Sequence, residues 1–282
     1  WLHAAFILLL VGYGTKMGLA PMHTWKPDAY GEAPGVVGTM LAGGLTSGAF
    51  LAILRVYQVC CAAGEARFAR QPLIALGLFS MLIAGVFMAR QKDFKRMLAY
   101  SSVEHMGILV LGIGIGGTAH FGSMLHLVNN SLTKGVLFMS AGNIHRIYSS
   151  KTTDQVRGAF RRAPCSAWLL LCGFFAITGS PPFGPFLSEF TIVNAAIQTQ
   201  NYLIAALFLG MLAIVFIGMG STVLAVVQGE PLPSLRVQTA KETVLTIAPA
   251  CLLLSVVLML GVYVPPPLNA LLKAAAALLE AP

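Results

Sequence analysis

The chain predicts an all-α, polytopic membrane fold of about eight transmembrane helices, two of them interrupted by proline. Three observations carry that reading. Hydrophobic residues make up 57% of the 282 and charged residues only 10%, with a mean hydropathy of +0.79, too apolar a balance for a soluble domain. Apolar stretches of about 20 residues, enough to cross a bilayer at about 1.5 Å per helical residue, recur along the whole length. Two of them contain prolines at mid-span, where a plain helix would lose backbone hydrogen bonds.

In order, the spans are expected at 1–25, 33–62, 72–91, 95–117, 119–146, 164–199, 202–228 and 243–264. The first holds VGYGTKMGLAPMHTW, which puts Lys16 near the bilayer midplane and breaks the helix at Pro21. An ionisable group at that depth is costly and marks an ion or proton path. An interrupted helix beside it is the sequence pointer to a transport site. The sixth span is too long for one crossing and carries GSPPFGP, where Pro181, Pro182 and Pro185 should make it discontinuous. Because the chain starts at Trp1 inside an apolar segment, without an initiator Met or a signal-peptide pattern, an N-terminal part is expected upstream.

The net charge of +8 would suggest nucleic acid in a soluble protein, but the bases sort by membrane side. The odd-numbered loops hold Lys26, then Arg90, Lys92, Lys95 and Arg96, then Arg146, Lys151, Arg157, Arg161 and Arg162, then Arg236 and Lys241. The other side has Arg67 and Arg70, with Lys273 in the tail. The positive-inside rule places the odd loops in the cytoplasm. Lys16, Arg55 and Lys134 are left for the helices, and Arg55 lies close enough to a helix end to snorkel.

Cys60, Cys61, Cys165, Cys172 and Cys251 form no CxxC pair and read as small core residues. Redox clusters need grouped thiolates, so neither metal nor cofactor is expected in this chain, and any redox chemistry belongs to partner subunits. The GIGIGG segment, with Gly112, Gly114 and Gly117, fits a dinucleotide pattern but ends a membrane helix instead of opening one after a strand. Asn129-Asn130-Ser131 matches a glycosylation acceptor at a depth no transferase reaches. No nucleophile–base set suggests a catalytic centre.

The strongest polar constellation is in the fifth span. His126, Asn130 and Lys134 recur every four residues and line one helix face over about 12 Å. His126 alone would read as a hydrogen-bonded packing residue; in the stripe it reads as part of a proton relay whose gaps are filled by water. Glu189 lies just beyond the second proline break, as a titratable carboxylate or as a partner for backbone donors that the break frees. Glu104 and His105 fall about 12 Å into the fourth span, and adjacent helical residues point about 100° apart, so only one of them is expected to face a polar interior. Asp28 and Glu32 are expected in the loop after the first span, paired with loop bases.

Four segments, GTKMGLAPMHTWKPDAYGEAP, KDFKRMLAYSSVEHMGI, HLVNNSLTKGVLFMSAGNI and GSPPFGPFLSEF, in this order, resemble the antiporter-like proton-pumping subunits of complex I, Mrp cation/proton antiporters and group 4 NiFe hydrogenases. The YSSVEHMGI form is most similar to the hydrogenase-4 and formate hydrogenlyase type. The resemblance implies two inverted five-helix repeats, each with a broken helix. Residues 1–62 would be the last two helices of the first repeat, 63–228 the second repeat, and 229–282 a loop, a terminal helix and a tail. It further implies that Lys16 is the central lysine of the first half-channel, Lys134 the lysine linking the halves and Glu189 the terminal group of the second, with His126 assisting. A glutamate pairing with Lys16 would precede Trp1.

Three positions depart from the pattern: Ser47 stands where relatives carry Lys or His, Asn130 replaces a second histidine, and KPDAY brings Lys26 and Tyr30 where LPDAH is common. The implied function is proton or sodium translocation through buried Lys, His and Glu residues, coupled to electron transfer in partner subunits, in the inner (plasma) membrane of a prokaryote. An Mrp-type cation/proton exchanger and a non-transporting membrane scaffold are the alternatives.

Overall fold

The computed structural model describes residues 1–230 and 242–280. Arg236 and Lys241, two of the bases assigned to the odd loops, lie outside them. Among the described residues the fold is all-helical, and the only extended pairing is an isolated bridge between Asp93 and Thr152. Among the described residues five helices are long and apolar enough to cross a membrane: Gly35–Ala62, Ala66–Met88, Phe94–Ile115, Tyr202–Gln228 and Val244–Val262.

The first expected span is two helices. α1 (Leu2–Met17) ends on Gly18, whose φ of 83° lies in the left-handed region that glycine enters without a Cβ clash. After a turn containing Pro21 the chain re-enters a helix as α2 (Trp25–Glu32). Lys26, Asp28 and Glu32 therefore sit on a short helix, not in an open loop. Trp25 Nε1 donates to Thr15 O (2.7 Å), folding α2 back over the end of α1.

α3 (Gly35–Met40) runs through a π-helical turn, Leu41–Leu45, into α4 (Thr46–Ala62). Single π turns open the backbone ladder by one residue. Here Ser47 donates to Gly43 O across the turn and meets Ser131 Oγ at 3.3 Å.

α5 (Ala66–Met88) accommodates Pro72 inside and starts earlier than the sequence suggests. α6 (Phe94–Ile115) is capped by Asp93, whose carboxylate accepts from Lys95 N (2.9 Å) and Arg96 N (3.0 Å). α7 (Thr118–Tyr148) follows after a short glycine turn. It is 31 residues long, but its polar stripe dilutes the apolar run, which leaves it out of the five membrane-length segments.

α8 (Ala159–Arg162) precedes α9 (Pro164–Ile177), and Glu242 accepts from the Ser166 (2.7 Å) and Cys165 (3.1 Å) amides at the start of α9. The sixth expected span then breaks at 178–183 and resumes as α10 (Gly184–Gln198). Pro181 and Pro182 lie in the break. Pro185 does not: it sits in the first turn of α10, where a missing N–H leaves no helical bond unmade. α11 (Tyr202–Gln228), α12 (Val244–Val262) and α13 (Pro266–Ala277) complete the chain, the last in a stretch the sequence left as tail.

α6 is the hub. Every residue from Ser101 to Ile115 is buried, because α5 and α7 cover it on two sides and Gly77 of α5 crosses Gly107 at backbone contact. α6 and α7 run antiparallel, with Ser101 opposite Lys134, His105 opposite His126, the Leu109 carbonyl opposite Ser123 and the Ile113 carbonyl opposite His120.

Bases from two of the odd loops meet acids at one end. Lys92 pairs with Asp154 (3.3 Å), and Lys151 pairs with Asp93 (3.4 Å) and with Glu32. At the other end Arg70 Nε donates to the Tyr57 hydroxyl (3.1 Å). Cys60 and Cys61 are buried, but Cys165 and Cys251 are exposed, so a core role does not hold for all five.

Candidate functional site

The site is built on the facing sides of α6 and α7 and closed by the two helix breaks. Lys134, fully buried, donates to Ser101 Oγ (2.6 Å) and reaches the Leu98 carbonyl (3.5 Å). One helical turn along α6 from Ser101 come Glu104 and His105, both 1% exposed. The sequence predicts one of them facing a polar interior and the other meeting a neighbouring helix; both are buried, since α6 has neighbours around its circumference at this depth. His105 Nε2 faces Glu104 Oε2 at 3.9 Å, and its Nδ1 lies 3.0 Å from His126 Nε2 and 4.0 Å from Glu189 Oε1.

In one arrangement of the protons every hydrogen bond on this pair of rings is made. With the Ser188 O–H donated to the Pro185 carbonyl (2.8 Å), Ser188 Oγ accepts from His126 Nδ1–H at 2.9 Å, neutral His126 offers Nε2 as an acceptor, and His105 donates through Nδ1–H. The rings stack with centroids 5.1 Å apart. Two imidazoles held this way can pass a proton from one ring to the other.

Asn130 lies between His126 and Lys134 on the α7 stripe. Its Oδ1, with Glu104 Oε2, Glu189 Oε1 and both amide atoms of Asn129, is buried without a protein partner. Buried polar atoms of this kind are satisfied by ordered water.

Lys26 is the residue the sequence reading missed. Assigned to a loop, it is fully buried, donates to the Ser102 carbonyl (3.3 Å) and lies 5.6 Å from the centre of the Tyr30 ring. Its amine and that of Lys134 thus bind consecutive residues of one α6 turn. The departure from LPDAH to KPDAY was the available signal. Ser188, which orients His126, was missed as well.

Lys16 joins none of these contacts: its side chain is on an exposed face of α1. Arg55 is exposed too and donates to Gln58 Oε1 (3.1 Å). A surface cavity of about 600 Å³ opens beside Lys95, Asn143 and Arg146, away from the buried line.

His105, His126 and Glu189 bring three ligating atoms within 4.8 Å of one another, a grouping no sequence spacing announced. No nucleophile–base arrangement with a substrate-sized cavity accompanies the line among the described residues. Its members are proton donors and acceptors, and moving protons is the chemistry they can do.

The hydrogenase-4 component F homolog of Methylacidiphilum infernorum is 40% identical over 230 residues, covering 80% of this chain and 48% of that protein. The chain thus spans about half the length of that relative. The structure superposes on a chain of the membrane-bound sulfane sulfur reductase, an archaeal respiratory membrane complex, with a TM-score of 0.87 at 24% identity, covering 98% of this chain and 56% of the other. A chain of the Mrp complex from Dietzia sp. DQ12-45-1b gives 0.85 at 20% identity, with 98% and 59% covered. At these identities the likeness is one of fold. Residues 2–217 match the family described as NADH:quinone oxidoreductase/Mrp antiporter, TM. The broken helices, the polar stripe of α7 and that match together make this chain an integral membrane member of the NADH:quinone oxidoreductase/Mrp antiporter family.

Proposed function

We propose that this chain is the proton-translocating (or sodium-translocating) membrane subunit of a redox-driven complex in a prokaryotic inner membrane, surrounded by lipid and by other membrane and peripheral subunits. Electron transfer in partner subunits would shift the electrostatics along the buried line, and protons would move between Lys134, Glu104, His105, His126 and Glu189, with water bridging the gap at Asn130. Lys26 extends that line to the first break. Lys16 joins it at the outer side of α1, once another part of the complex covers the face exposed here.

The architecture behind this reading has eight spans, two of them discontinuous, with 1–62 ending one inverted repeat, 63–228 forming the next and 229–282 following it. The observation that carries the function is the burial of the ionisable groups from Lys134 through Glu104, His105 and His126 on α6 and α7 to Glu189 on α10. Charged groups this deep are retained where ions pass. The name of the hydrogenase-4 relative favours a redox partner. The Mrp likeness keeps a cation/proton exchanger as the second reading, to be recognised by sodium-dependent transport without a redox donor.

The test is Lys134→Ala in the intact complex. The expected result is loss of proton pumping and of coupled turnover in a complex that still assembles. Unchanged pumping would refute the relay, and free neutralisation of Lys16, Lys134 and Glu189 would leave only a scaffold.

A further inference from the structure

We propose that His105, His126 and Glu189 form a binding site for a divalent first-row transition ion of the zinc type. The three ligating atoms lie within 4.8 Å of one another. Zinc bound to imidazole nitrogen or carboxylate oxygen at about 2.0–2.1 Å holds tetrahedral ligands about 3.3 Å apart. His105 Nδ1 and His126 Nε2 are already 3.0 Å apart, and Glu189 Oε1 is 4.0 Å from His105 Nδ1. Parting the two nitrogens by about 0.3 Å, turning the rings so that both lone pairs meet at the ion, and drawing the Glu189 carboxylate in by about 0.7 Å gives three protein ligands, and water supplies the fourth.

The direct bond between the two rings accounts for the imidazoles without an ion. It does not account for Glu189 Oε1, which is buried, aimed at the pair and without a protein partner. The surroundings are also those of a metal centre. Ligating histidines normally donate their second N–H to an oxygen that fixes the ring. His126 Nδ1 has Ser188 Oγ at 2.9 Å for this, and Glu104 Oε2, 3.9 Å from His105 Nε2 and without a hydrogen-bond partner of its own, is the nearest acceptor on the other ring.

For the ion to bind, the proton on His105 Nδ1 transfers to Nε2, facing Glu104, and the freed Nδ1 lone pair joins that of His126 Nε2. The carboxylates of Glu189 inside and Glu104 outside balance the two positive charges. Two imidazoles and one carboxylate suit Zn2+ over Ca2+ or Mg2+, which take oxygen ligands. If the proton path described above is correct, a bound ion arrests it by occupying both nitrogens through which the rings exchange a proton.

The experiment uses the assembled complex, stripped with chelator and titrated with Co2+ as a spectroscopic probe. The expected result is one tetrahedral Co2+ visible band per copy of this chain, displaced by Zn2+ and lost in His126→Gln and His105→Gln. Glu104→Gln, which alters only the outer partner, should weaken binding about tenfold. An unchanged band and stoichiometry in both histidine variants would overturn the site, as would the absence of any such band in the unmodified complex. Binding is read without pumping, so a complex that binds Co2+ as described yet pumps normally as Lys134→Ala would sink the transport reading and leave the metal site standing.

Discussion

At the first break the chain leaves α1 through Gly18 (φ 83°), and at the second it leaves α9 through Gly179 (φ 67°). Both breaks then carry a cis X–Pro peptide, Ala20–Pro21 and Pro181–Pro182. In each a buried ionisable side chain packs where a glycine Cβ would stand, the Lys26 stem at Gly18 and the Glu189 carboxylate at Gly179. The difference is in the partners. Glu189 is delivered to a pair of imidazoles, whereas Lys26 is delivered to a backbone carbonyl and an aromatic face. No carboxylate lies within 4.0 Å of Lys26 or Lys134 among the described residues. One construction thus delivers an amine at one break and a carboxyl at the other, and only the second lies beside imidazoles.

The sharpest way to break that comparison is to refill the glycine sites. In Gly179→Ala the new methyl meets the Glu189 carboxylate itself, so proton movement should fall tenfold or more, equivalent to about 1.4 kcal/mol in the barrier. In Gly18→Ala it meets the flexible Lys26 stem, leaving mainly the left-handed backbone cost of about 1–2 kcal/mol. Coupled proton release and thermal inactivation of both variants decide it; equal loss of transport in the two would remove the asymmetry.

Lys26→Met comes next in size. It removes the amine but keeps the length, so transport should fall about threefold to tenfold. Thermal stability should rise, because a well-packed apolar chain often outdoes a buried charge. A fall in stability with unchanged transport would make Lys26 a packing residue.

The smallest effect lies outside the membrane. The hydrogen bond from Lys151 holds the Glu32 carboxyl below its usual range. A depressed carboxylate adds stability above its unfolded pKa of about 4.3 and loses it as pH falls through the folded value. Lys151→Ala should therefore lower the melting temperature slightly at neutral pH, with the difference closing in acid and in high salt. A pH-independent difference would assign Lys151 a packing role instead.

What the sequence made legible follows from what each signal depends on. The breaks and the His126–Asn130–Lys134 stripe depend on local chemistry and helical period, and the structure holds both. Lys26 was hidden because WKPDAYGE reads as a polar loop, and only its docking against α6 makes it buried. Lys16 shows the converse: depth along an apolar run says nothing about which face a side chain takes, and this one faces outward from α1. Glu104 and His105, about 100° apart on α6, read as divided between a polar interior and a neighbouring helix; in the structure His105 lies 3.9 Å from Glu104 and 3.0 Å from His126, a meeting that only the packing of α7 on α6 makes. The meeting of Glu189 with two imidazoles joins residues 105, 126 and 189 through tertiary packing alone.

The central claim, that the buried line from Lys134 to Glu189 carries protons, is met most directly by Glu189→Gln in the assembled complex, measured as protons moved per turnover in sealed vesicles. The amide keeps the volume but cannot take up and release a proton. At least a tenfold loss with subunit composition intact is the predicted result, and an unchanged proton yield would contradict the account.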